Sequence, residues 1–411
     1  MFYKKARLLA AVSVAATVVS GVSVGLGSTG AGASGGGSKT ITVGVLTDLT
    51  GLGASGNATS VEGVKAGVFL AKRDGYNLKY VVGDTATSPA TALSAGQGLV
   101  EQHHVTAVIA VSSLTFSAAP FFKAQGTPVI GVSQDAGEWS TDSNMFSVYG
   151  IVHENLVNTD SGAYFKSQGV TNLGSIGYSI SPSSAEAAEG AGVSAKKAGI
   201  KVGYVNAAFP FGSTNVQPVA LAMKAAGVNG LTASTDPNTA YALIAALKNL
   251  GVHLKAVLLA TGYGGDVTSQ ASPAETQAAQ GVSFENPFEV MEQNTPATKQ
   301  FAADLTSAGI KGLPTQAEYN AYVSVGLLLQ GLKGAGSNPT SSSLIASLSK
   351  VHDFDALGLF GNYPVDISNR NTFSGHCLWV AKLKGTAFDL VPGADPICGT
   401  TIPGVSVSPP T

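Results

Sequence analysis

The sequence predicts an α/β fold built from two doubly wound parallel-sheet lobes. Short β-branched apolar runs alternate with stretches of helical periodicity, and this alternation occurs twice along the chain. Such alternation is typical of parallel sheets with right-handed crossovers. The chain has 411 residues, which is enough for two lobes of ordinary size.

Residues 41–75 form the first strand, loop and helix of this pattern. Ile41–Leu46 is an apolar run of the length expected for a buried strand, and a loop rich in Gly, Ser and Thr follows. Thr59 and Glu62 have the spacing of a capping box, and Gly75 is predicted to end the helix. In open α/β sheets, such loops lie at the edge where ligands bind.

The same reasoning assigns the remaining elements in order. The first run contains predicted strands at 41–46, 78–83, 106–111, 128–132 and 146–150 and helices near 59–73, 90–102 and 115–125. The second contains predicted strands at 173–178, 201–206, 230–234 and 256–260 and helices near 153–168, 183–198, 215–227 and 239–251. A return strand at 281–286 and helices near 297–308, 315–334 and 340–350 follow.

Several weak motifs, in a fixed order, carry a family resemblance. Residues 41–51 read I-x-V-G-V-L-x-x-L-T-G, and residues 62–71 read E-G-V-K-A-G-V-x-L-A. The likeness continues through 80–84 and 126–130 and returns at 319–336. Together these segments resemble a type I periplasmic binding protein, of the kind that serves branched-chain amino acid-type ABC transporters. The resemblance covers most of residues 40–392.

The resemblance implies a division of the chain into two lobes. It assigns residues 40–150 and 283–366 to lobe 1, and residues 151–282 and 367–411 to lobe 2. The chain then crosses between lobes near 150, 282 and 368. Three such crossings make a hinge, and closure about a hinge is a known way to enclose a ligand.

The N-terminal segment has the pattern of a secretory signal. Lys4, Lys5 and Arg7 precede the apolar stretch Leu8–Val19, and Ala31–Ala33 matches an A-x-A cleavage site. We therefore predict a signal peptide over 1–33 and a linker over 34–39. The alternative is an uncleaved anchor, because further apolar residues prolong the stretch. The segment contains no cysteine, so attachment through a lipid-modified N-terminal cysteine is not expected.

Composition and cysteine count limit the possible functions. Charged residues make up 12% and the net charge is -2, which argues against a nucleic-acid partner. The two cysteines, Cys377 and Cys398, predict a disulfide in an exported chain, with two buried free thiols as the alternative. No phosphate-loop, dinucleotide or metal-ligand spacing is present, so neither cofactor nor metal is predicted.

The first candidate binding loop follows the strand at 106–111. Ser112 and Ser113 precede a predicted helix, and hydroxyls with helix N-terminal amides bind anions. The resemblance implies that this loop holds the ligand's carboxylate. The alternative is a simple Ser N-cap. Thr50, in the first glycine loop, is a further candidate for ligand binding.

The next loop contains Ser133, Gln134 and Asp135. In the resembled family this loop offers a carbonyl and a small hydroxyl to the ligand, and Gln134 and Asp135 depart from that pattern. Asp135 either pairs with an ammonium group or forms a local turn or cap. Trp139, shortly afterwards, lines the cleft or packs in the core.

Aromatic residues follow strands of the second run. Tyr178 ends one strand, Phe209 and Phe211 follow another, and Tyr263 lies in a glycine-rich loop close to Asp266. The resemblance implies ligand-binding roles at Tyr178 and Tyr263. The alternative for each aromatic is core packing. Together they favour an apolar pocket with a few polar groups.

The resemblance, together with these features, implies an extracytoplasmic solute-binding protein in the periplasm or at the cell surface. It would capture a small carboxylate-bearing ligand, such as a branched-chain or other amino acid or a related organic acid. It would act as a monomer and deliver the ligand to an ABC permease. The alternative is a ligand-sensing receptor subunit of the same fold. A hydrolase is not expected, because the mature chain contains no recognisable nucleophile elbow.

Overall fold

The computed structural model describes residues 39–133, 137–150, 155–369 and 377–408. The strands are β1 Lys39–Thr47, β2 Tyr76–Asp84, β3 Ala107–Val111, β4 Val129–Gly131, β5 Met145–Ser147, β6 Leu156–Asn158, β7 Asn172–Tyr178, β8 Lys201–Phe209, β9 Gly230–Ser234, β10 Ala256–Leu259, β11 Ser283–Asn286, β12 Cys377–Lys384, β13 Ala387–Leu390, β14 Ile397–Cys398 and β15 Thr401–Ser406. They form two large sheets and one small one.

Helices flank the two large sheets. They are α1 Ala54–Asn57, α2 Ser60–Arg73, α3 Pro89–Gln97, α4 Ala119–Gln125, α5 Glu138–Thr141, α6 Asp160–Ser167, α7 Pro182–Lys197, α8 Gln217–Ala225, α9 Pro237–Asn249, α10 Pro273–Ala278, α11 Pro296–Ser307, α12 Gln316–Gly334 and α13 Ser341–Leu348. Single π-helical turns occur at Gly98–Gln102 and Asp266–Gln270. In the described part of the chain, no helix combines the length and apolarity needed to span a membrane.

The first sheet has the order β2-β1-β3-β4-β5, and every pairing in it is parallel. All five strands predicted for the first run are present. The inner strands are buried because they consist of β-branched and small apolar residues, as in Ala107–Val111.

The second sheet has the order β13-β12-β11-β10-β9-β7-β8. The pairings from β8 to β11 are parallel, whereas β12 and β13 add in antiparallel orientation. The predicted α/β class with parallel sheets is therefore confirmed, with an antiparallel edge on the second sheet. One apolar cluster continues through both sheets and includes Val45, Ile109, Leu231, Phe284 and Tyr319.

Chain segments return to each sheet after β11. The long helix α12 packs against α2, β3 and β4 of the first sheet, and α13 packs against α12. The strand at Ser283–Asn286 belongs to the second sheet, and the predicted crossing near 282 lies at its start. The predicted crossings near 150 and 368 lie next to segments outside the described residues. The signal peptide and most of the linker also lie outside the described residues. The exact lobe boundaries stay a prediction.

The helix predicted over 153–168 is partly wrong. Leu156–Asn158 forms β6, and the helix begins only at Asp160. The reason is distant in sequence, because β6 pairs with the C-terminal strand Thr401–Ser406.

The capping box predicted at Thr59 and Glu62 is also absent. Thr59 has helical backbone angles, since the short helix α1 leads almost directly into α2, and its side chain makes no cap hydrogen bond. Thr59 Oγ1 instead lies 2.6 Å from Thr315 Oγ1. The box occurs at Thr315, whose side chain and Glu318 satisfy each other's backbone N–H groups.

The predicted disulfide is present between Cys377 and Cys398. Cys377 opens β12, and β14 pairs antiparallel with β12 so that the two cysteines face each other. The bond therefore ties the C-terminal tail to the strand that contains Trp379, as the sequence predicts.

Candidate functional site

A cavity of about 220 Å³ lies between the carboxyl ends of the parallel strands of the two sheets. Loops of the first sheet form one wall, loops of the second sheet form the other, and the start of α12 lies beside both. This cleft cavity is defined by Asn57, Ser113, Ser133, Tyr178, Thr235, Asp236, Gln316 and Asn320.

A buried carboxylate organises the first wall. Asp48, directly after β1, accepts hydrogen bonds at Oδ1 from Ser112 Oγ over 2.6 Å and from Thr85 Oγ1. Its Oδ2 accepts from the Ser113 N–H and from Asn57 Nδ2, each over 2.9 Å. Asp48 therefore occupies donors that the sequence assigns to a ligand's carboxylate.

The two serines predicted as a pair have different positions. Ser112 is fully buried, its Oγ accepts from the Leu114 N–H over 3.0 Å, and it does not line the cleft cavity. In the structure Ser112 supports Asp48, and its contact with a ligand stays a prediction. Neither serine caps a helix, because the turn that follows begins after Leu114 without a side-chain cap. Ser113 and Ser133 do line the cavity.

Tyr178 and Asp236 form the centre of the second wall. The Tyr178 hydroxyl donates to the Asp236 carboxylate and lies 2.8 Å from Thr239 Oγ1. Burial, and next the charge of Asp236, raise the pKa of Tyr178, so the phenol remains a donor at neutral pH. The Phe211 ring packs edge-on against Tyr178 with centroids 4.8 Å apart. Asp236 also caps α9 by accepting from the Thr239 N–H over 3.0 Å.

The start of α12 contributes two amide side chains that sequence reasoning did not select. Gln316 Nε2 donates to the Ala260 carbonyl over 2.9 Å, which joins α12 to a loop of the second sheet. Asn320 accepts from the hydroxyl of Tyr149. Gln316 and Asn320 are four residues apart, which places them on one helix face. That spacing was the signal available in the sequence.

The side-chain hydroxyl of Thr235 is available for a hydrogen bond with a ligand. It lines the cleft cavity, it is buried, and its Oγ1 has no hydrogen-bond partner among the described residues. Its carbonyl accepts from Thr261 Oγ1 over 2.7 Å, which fixes the loop. Buried hydroxyls normally have partners, so an unsatisfied one at a cavity wall suits a ligand's polar group.

Two predicted ligand contacts lie away from the cavity. Thr50 is exposed, and its Oγ1 donates to Asp84 Oδ2 over 2.6 Å, so it stabilises the loop between β1 and α2. Tyr263 is buried in the core, where its hydroxyl donates to Glu292 Oε2 over 2.5 Å and accepts from the Met291 N–H over 2.9 Å. Neither lines the cleft cavity.

Of the remaining candidate residues, the structure describes Trp139 and Asp266. Trp139 is buried in an apolar cluster behind the first sheet, so the packing alternative holds. Asp266 is buried beside the start of α12, where its Oδ2 accepts from the Gln316 N–H over 3.3 Å. Gln134 and Asp135 lie outside the described residues, and their roles stay predictions.

The charges around the cleft cavity have one sign. Asp236 lines it, and no Lys or Arg occurs among its described lining residues. No salt bridge in the described part of the chain includes Asp236. A cluster of three or more residues able to hold a metal ion is likewise absent from that part. The described lining of the cavity therefore carries negative charge only, from Asp236.

The family described as periplasmic binding protein matches residues 40–387. This chain belongs to the periplasmic binding protein family. Its relatives by family and fold are binding proteins rather than enzymes. The match spans both large sheets and the cleft cavity between them, so the cavity lies within the region that the family shares.

Solved structures show that this periplasmic binding protein has the type I fold. It is similar to a possible leucine/isoleucine/valine-binding protein from Rhodopirellula baltica SH 1, at TM-score 0.71 and 14% identity over 88% of this chain and 98% of that chain. It is similar to the leucine binding protein from Thermotoga maritima MSB8, at TM-score 0.70 and 14% identity over 86% and 97%. A solute binding protein from R. palustris in complex with 4-hydroxybenzoate matches at TM-score 0.69 and 16% identity over 90% and 98%. Among curated proteins, none matches this sequence.

Proposed function

We propose that this periplasmic binding protein captures a small zwitterionic molecule, an amino acid, in the cleft cavity and delivers it to an ABC permease from an extracytoplasmic location. Family membership supports the binding role. The observation that carries the ligand class is the opposition of Asp236 to Ser113 and Ser133 across one cavity.

Each side of the cavity suits one end of an amino acid. On the first-sheet side, the hydroxyls of Ser113 and Ser133 are donors for a carboxylate. On the other side, the carboxylate of Asp236 attracts an ammonium group, and charge-assisted hydrogen bonds are stronger than neutral ones. Phe211 beside Tyr178 covers an apolar side chain.

The structural neighbours point to two classes of ligand, amino acids and amine-free acids. One neighbour is described as a leucine binding protein and another was solved in complex with 4-hydroxybenzoate. An amine-free acid would meet the charge of Asp236 with no described Lys or Arg to offset it. The electrostatics therefore favour the amino acid.

A thermal-shift panel tests this proposal. Residues 34–411 are heated with L-amino acids, simple amines, amine-free acids including 4-hydroxybenzoate, and neutral amides. A ligand that binds only the folded protein raises Tm with its concentration. We expect shifts with one or more L-amino acids. A shift with amine-free acids alone would contradict the ligand class, and no shift with any compound would contradict small-molecule capture of this kind.

Asp236→Asn provides the matched variant. The amide keeps an oxygen that can cap α9, but it removes the charge. We expect the amino acid's affinity to fall by about 1.5–3 kcal/mol, the usual contribution of a charged hydrogen bond. The unliganded Tm is measured alongside, because the amide also replaces one of the two oxygens that accept from Tyr178 and Thr239. Equal affinity of wild type and Asp236→Asn for the amino acid would show that Asp236 does not bind the ligand.

Delivery is tested in cells. Uptake of the labelled amino acid should fall when the protein is deleted, and wild-type protein but not Asp236→Asn should restore it. Unchanged uptake after deletion would favour the alternative role of a ligand-sensing receptor subunit.

A further inference from the structure

A second cavity, of about 300 Å³, adjoins the cleft cavity on the side of the disulfide. The two cavities share lining residues, among them Ser133, Tyr149 and Gln316. We call the second one the rear cavity and define it by Asn158, Asp160, Phe360, Tyr363, Cys377 and Trp379.

Asp160 places a buried charge on the wall of the rear cavity. It is the first residue of α6, it is 9% exposed, and its Oδ1 accepts from the Ser161 N–H over 2.6 Å. Burial raises the pKa of Asp160 to about 6, so the carboxylate is mostly ionised at neutral pH. None of the salt bridges within the described residues includes it. A buried charge without a counter-ion is costly, and a cationic ligand would relieve that cost.

Aromatic rings line the same cavity as this carboxylate. Trp379 and Phe360 are buried, whereas Tyr363 is 43% exposed. The rings of Tyr363 and Trp379 pack edge to face with centroids 6.1 Å apart. Aromatic faces attract organic cations, most strongly when water is excluded.

The remaining polar groups of the rear cavity also favour a ligand that donates hydrogen bonds. Asn158 Oδ1 is buried and has no hydrogen-bond partner among the described residues. Glu285 lines the cavity too, and Lys and Arg are absent from its described lining. Carboxylate, amide oxygen and aromatic faces together are the partners that an N–H-rich cation needs.

From these contacts we propose that the rear cavity binds an alkylammonium group, with Asp160 as the ion-pair partner and Trp379 and Tyr363 as the aromatic wall. The disulfide at Cys377 fixes the end of β12 and hence the position of this wall. The group belongs either to a free amine or to the far end of a ligand that also occupies the cleft cavity. These two sources share the same chemistry, and the test separates them.

Calorimetric titration with 1,5-diaminopentane tests the site directly. The neutral isostere 1,5-pentanediol has nearly the same length and lacks the charge. We expect the diamine to bind wild-type protein and the diol to bind at least tenfold more weakly. Equal binding of the two, or no binding of the diamine, would contradict the proposal for a free amine.

Asp160→Asn should weaken diamine binding at least tenfold. Asp395→Asn, which removes a carboxylate from the exposed tail near Cys398, is the matched control and should bind like wild type. Since Asp160 is buried, a folding defect in its variant would leave the result open, so Tyr363→Ala is made as well. Tyr363 is partly exposed, and we expect its variant to fold and to bind the diamine several-fold more weakly. Unchanged binding in a folded Asp160→Asn or in Tyr363→Ala would overturn the assignment.

A second comparison identifies the source of the ammonium group. L-lysine and L-norleucine differ by a terminal ammonium on nearly the same chain. If the group is part of the cleft ligand, L-lysine binds more tightly than L-norleucine, and Asp160→Asn removes the difference. If L-lysine and the diamine both fail to exceed their neutral counterparts, the rear cavity is not an ammonium site. A failure of Asp236→Asn to affect amino acid binding would concern only the cleft cavity.

Discussion

Leu52 meets Gly212 at the mouth of the cleft cavity, where a loop of the first sheet touches a loop of the second. A Cβ added at Gly212 would lie 2.6 Å from the Cβ of Leu52, and Gly212 has φ +64°. Leu52 is 59% exposed. Nearby, a Cβ at Gly56 of α1 would lie 3.8 Å from Pro237 Cδ of α9. The two walls therefore touch, which is a closed arrangement.

Gly212→Ala should weaken ligand binding by opening this mouth. The added methyl group clashes with Leu52 only when the two loops are together, and overpacking costs about 1–3 kcal/mol. Because the ligand favours the closed state only by its extra affinity for that state, the affinity should fall by roughly five- to 150-fold. Calorimetry with the amino acid found in the thermal-shift panel measures the change.

Gly75→Ala is the control for this substitution. Gly75 has φ +83° and nothing within 4 Å of an added Cβ, so its variant carries the left-handed strain of about 1 kcal/mol without the clash. It should lower Tm and leave affinity unchanged. Equal affinities in the two variants would show that the contact between Leu52 and Gly212 does not control closure.

Asp48 is expected to contribute more to the free energy of unfolding than an aspartate in an exposed ion pair does. Asp48→Ala leaves the donors of Ser112, Ser113, Thr85 and Asn57 without their acceptor. Each buried donor that loses its acceptor costs about 1–3 kcal/mol, so we expect a clear loss in unfolding free energy, which urea denaturation measures. Asp389→Ala, at an exposed ion pair with Lys384, should cost less than about 1 kcal/mol. Similar losses in both variants would contradict the network.

Ser112 and Ser113 should separate stability from binding. Ser112→Ala removes a buried donor to Asp48, so we expect a loss of about 1–3 kcal/mol in unfolding free energy. Ser113→Ala keeps the backbone N–H that binds Asp48 and removes only the hydroxyl at the cavity wall, so affinity should fall while stability stays close to wild type. Denaturation and calorimetry on both variants distinguish the two roles, and reversed effects would refute the assignment.

The sequence predicted elements well where their signal was local. The apolar strands of both sheets follow from β-branched runs, whereas β6 was missed because its partner, Thr401–Ser406, lies at the other end of the chain. The capping-box spacing occurs at both Thr59 and Thr315, and of these two residues only Thr315 has the extended backbone that the box requires. At Thr59, helix α1 holds the preceding chain in a helical path.

The candidate site was likewise predicted only where the signal in the sequence is local. Ser113 and Ser133 come shortly after strands and Tyr178 ends one, so strand assignment alone indicated the sheet edges where the cleft cavity lies. The role of Asp48 was not recognised, because its donors come from three other chain segments that only the folded sheet brings together. Tyr263 also follows a strand, but its ring packs against Phe388 of the antiparallel edge, which the pattern of parallel strands does not reveal.

Removing the disulfide should destabilise the C-terminal tail and the wall that it supports. Cys377 and Cys398 are 21 residues apart, and a loop of this size corresponds to about 3 kcal/mol in the chain-entropy account. Replacing both cysteines with Ser should lower the unfolding free energy by roughly this amount. Urea denaturation of the variant against oxidised wild type measures it, with reduced wild type as the control. No difference between oxidised and reduced protein would contradict the expected contribution.

Asp266 should make stability depend on pH in an unusual direction. Burial raises the pKa of Asp266 to about 8, and burial followed by the neighbouring Glu62 raises the pKa of Glu318 to about 8. Both pKa values exceed those of the unfolded chain, so the folded state binds more protons between roughly pH 4 and pH 8. These groups therefore make stability fall as pH rises through that window.

Asp266→Asn removes one of these groups while keeping an oxygen for the Gln316 N–H. We expect the variant to gain stability over wild type, on the order of a few kcal/mol at pH 9, and to match it near pH 4. Adding Glu318→Gln, which retains a capping side chain, should flatten the pH dependence further. Urea denaturation at both pH values measures this, with exposed Asp389→Asn as the control. An equal effect of Asp266→Asn at pH 4 and pH 9 would show that its carboxyl does not titrate in this window.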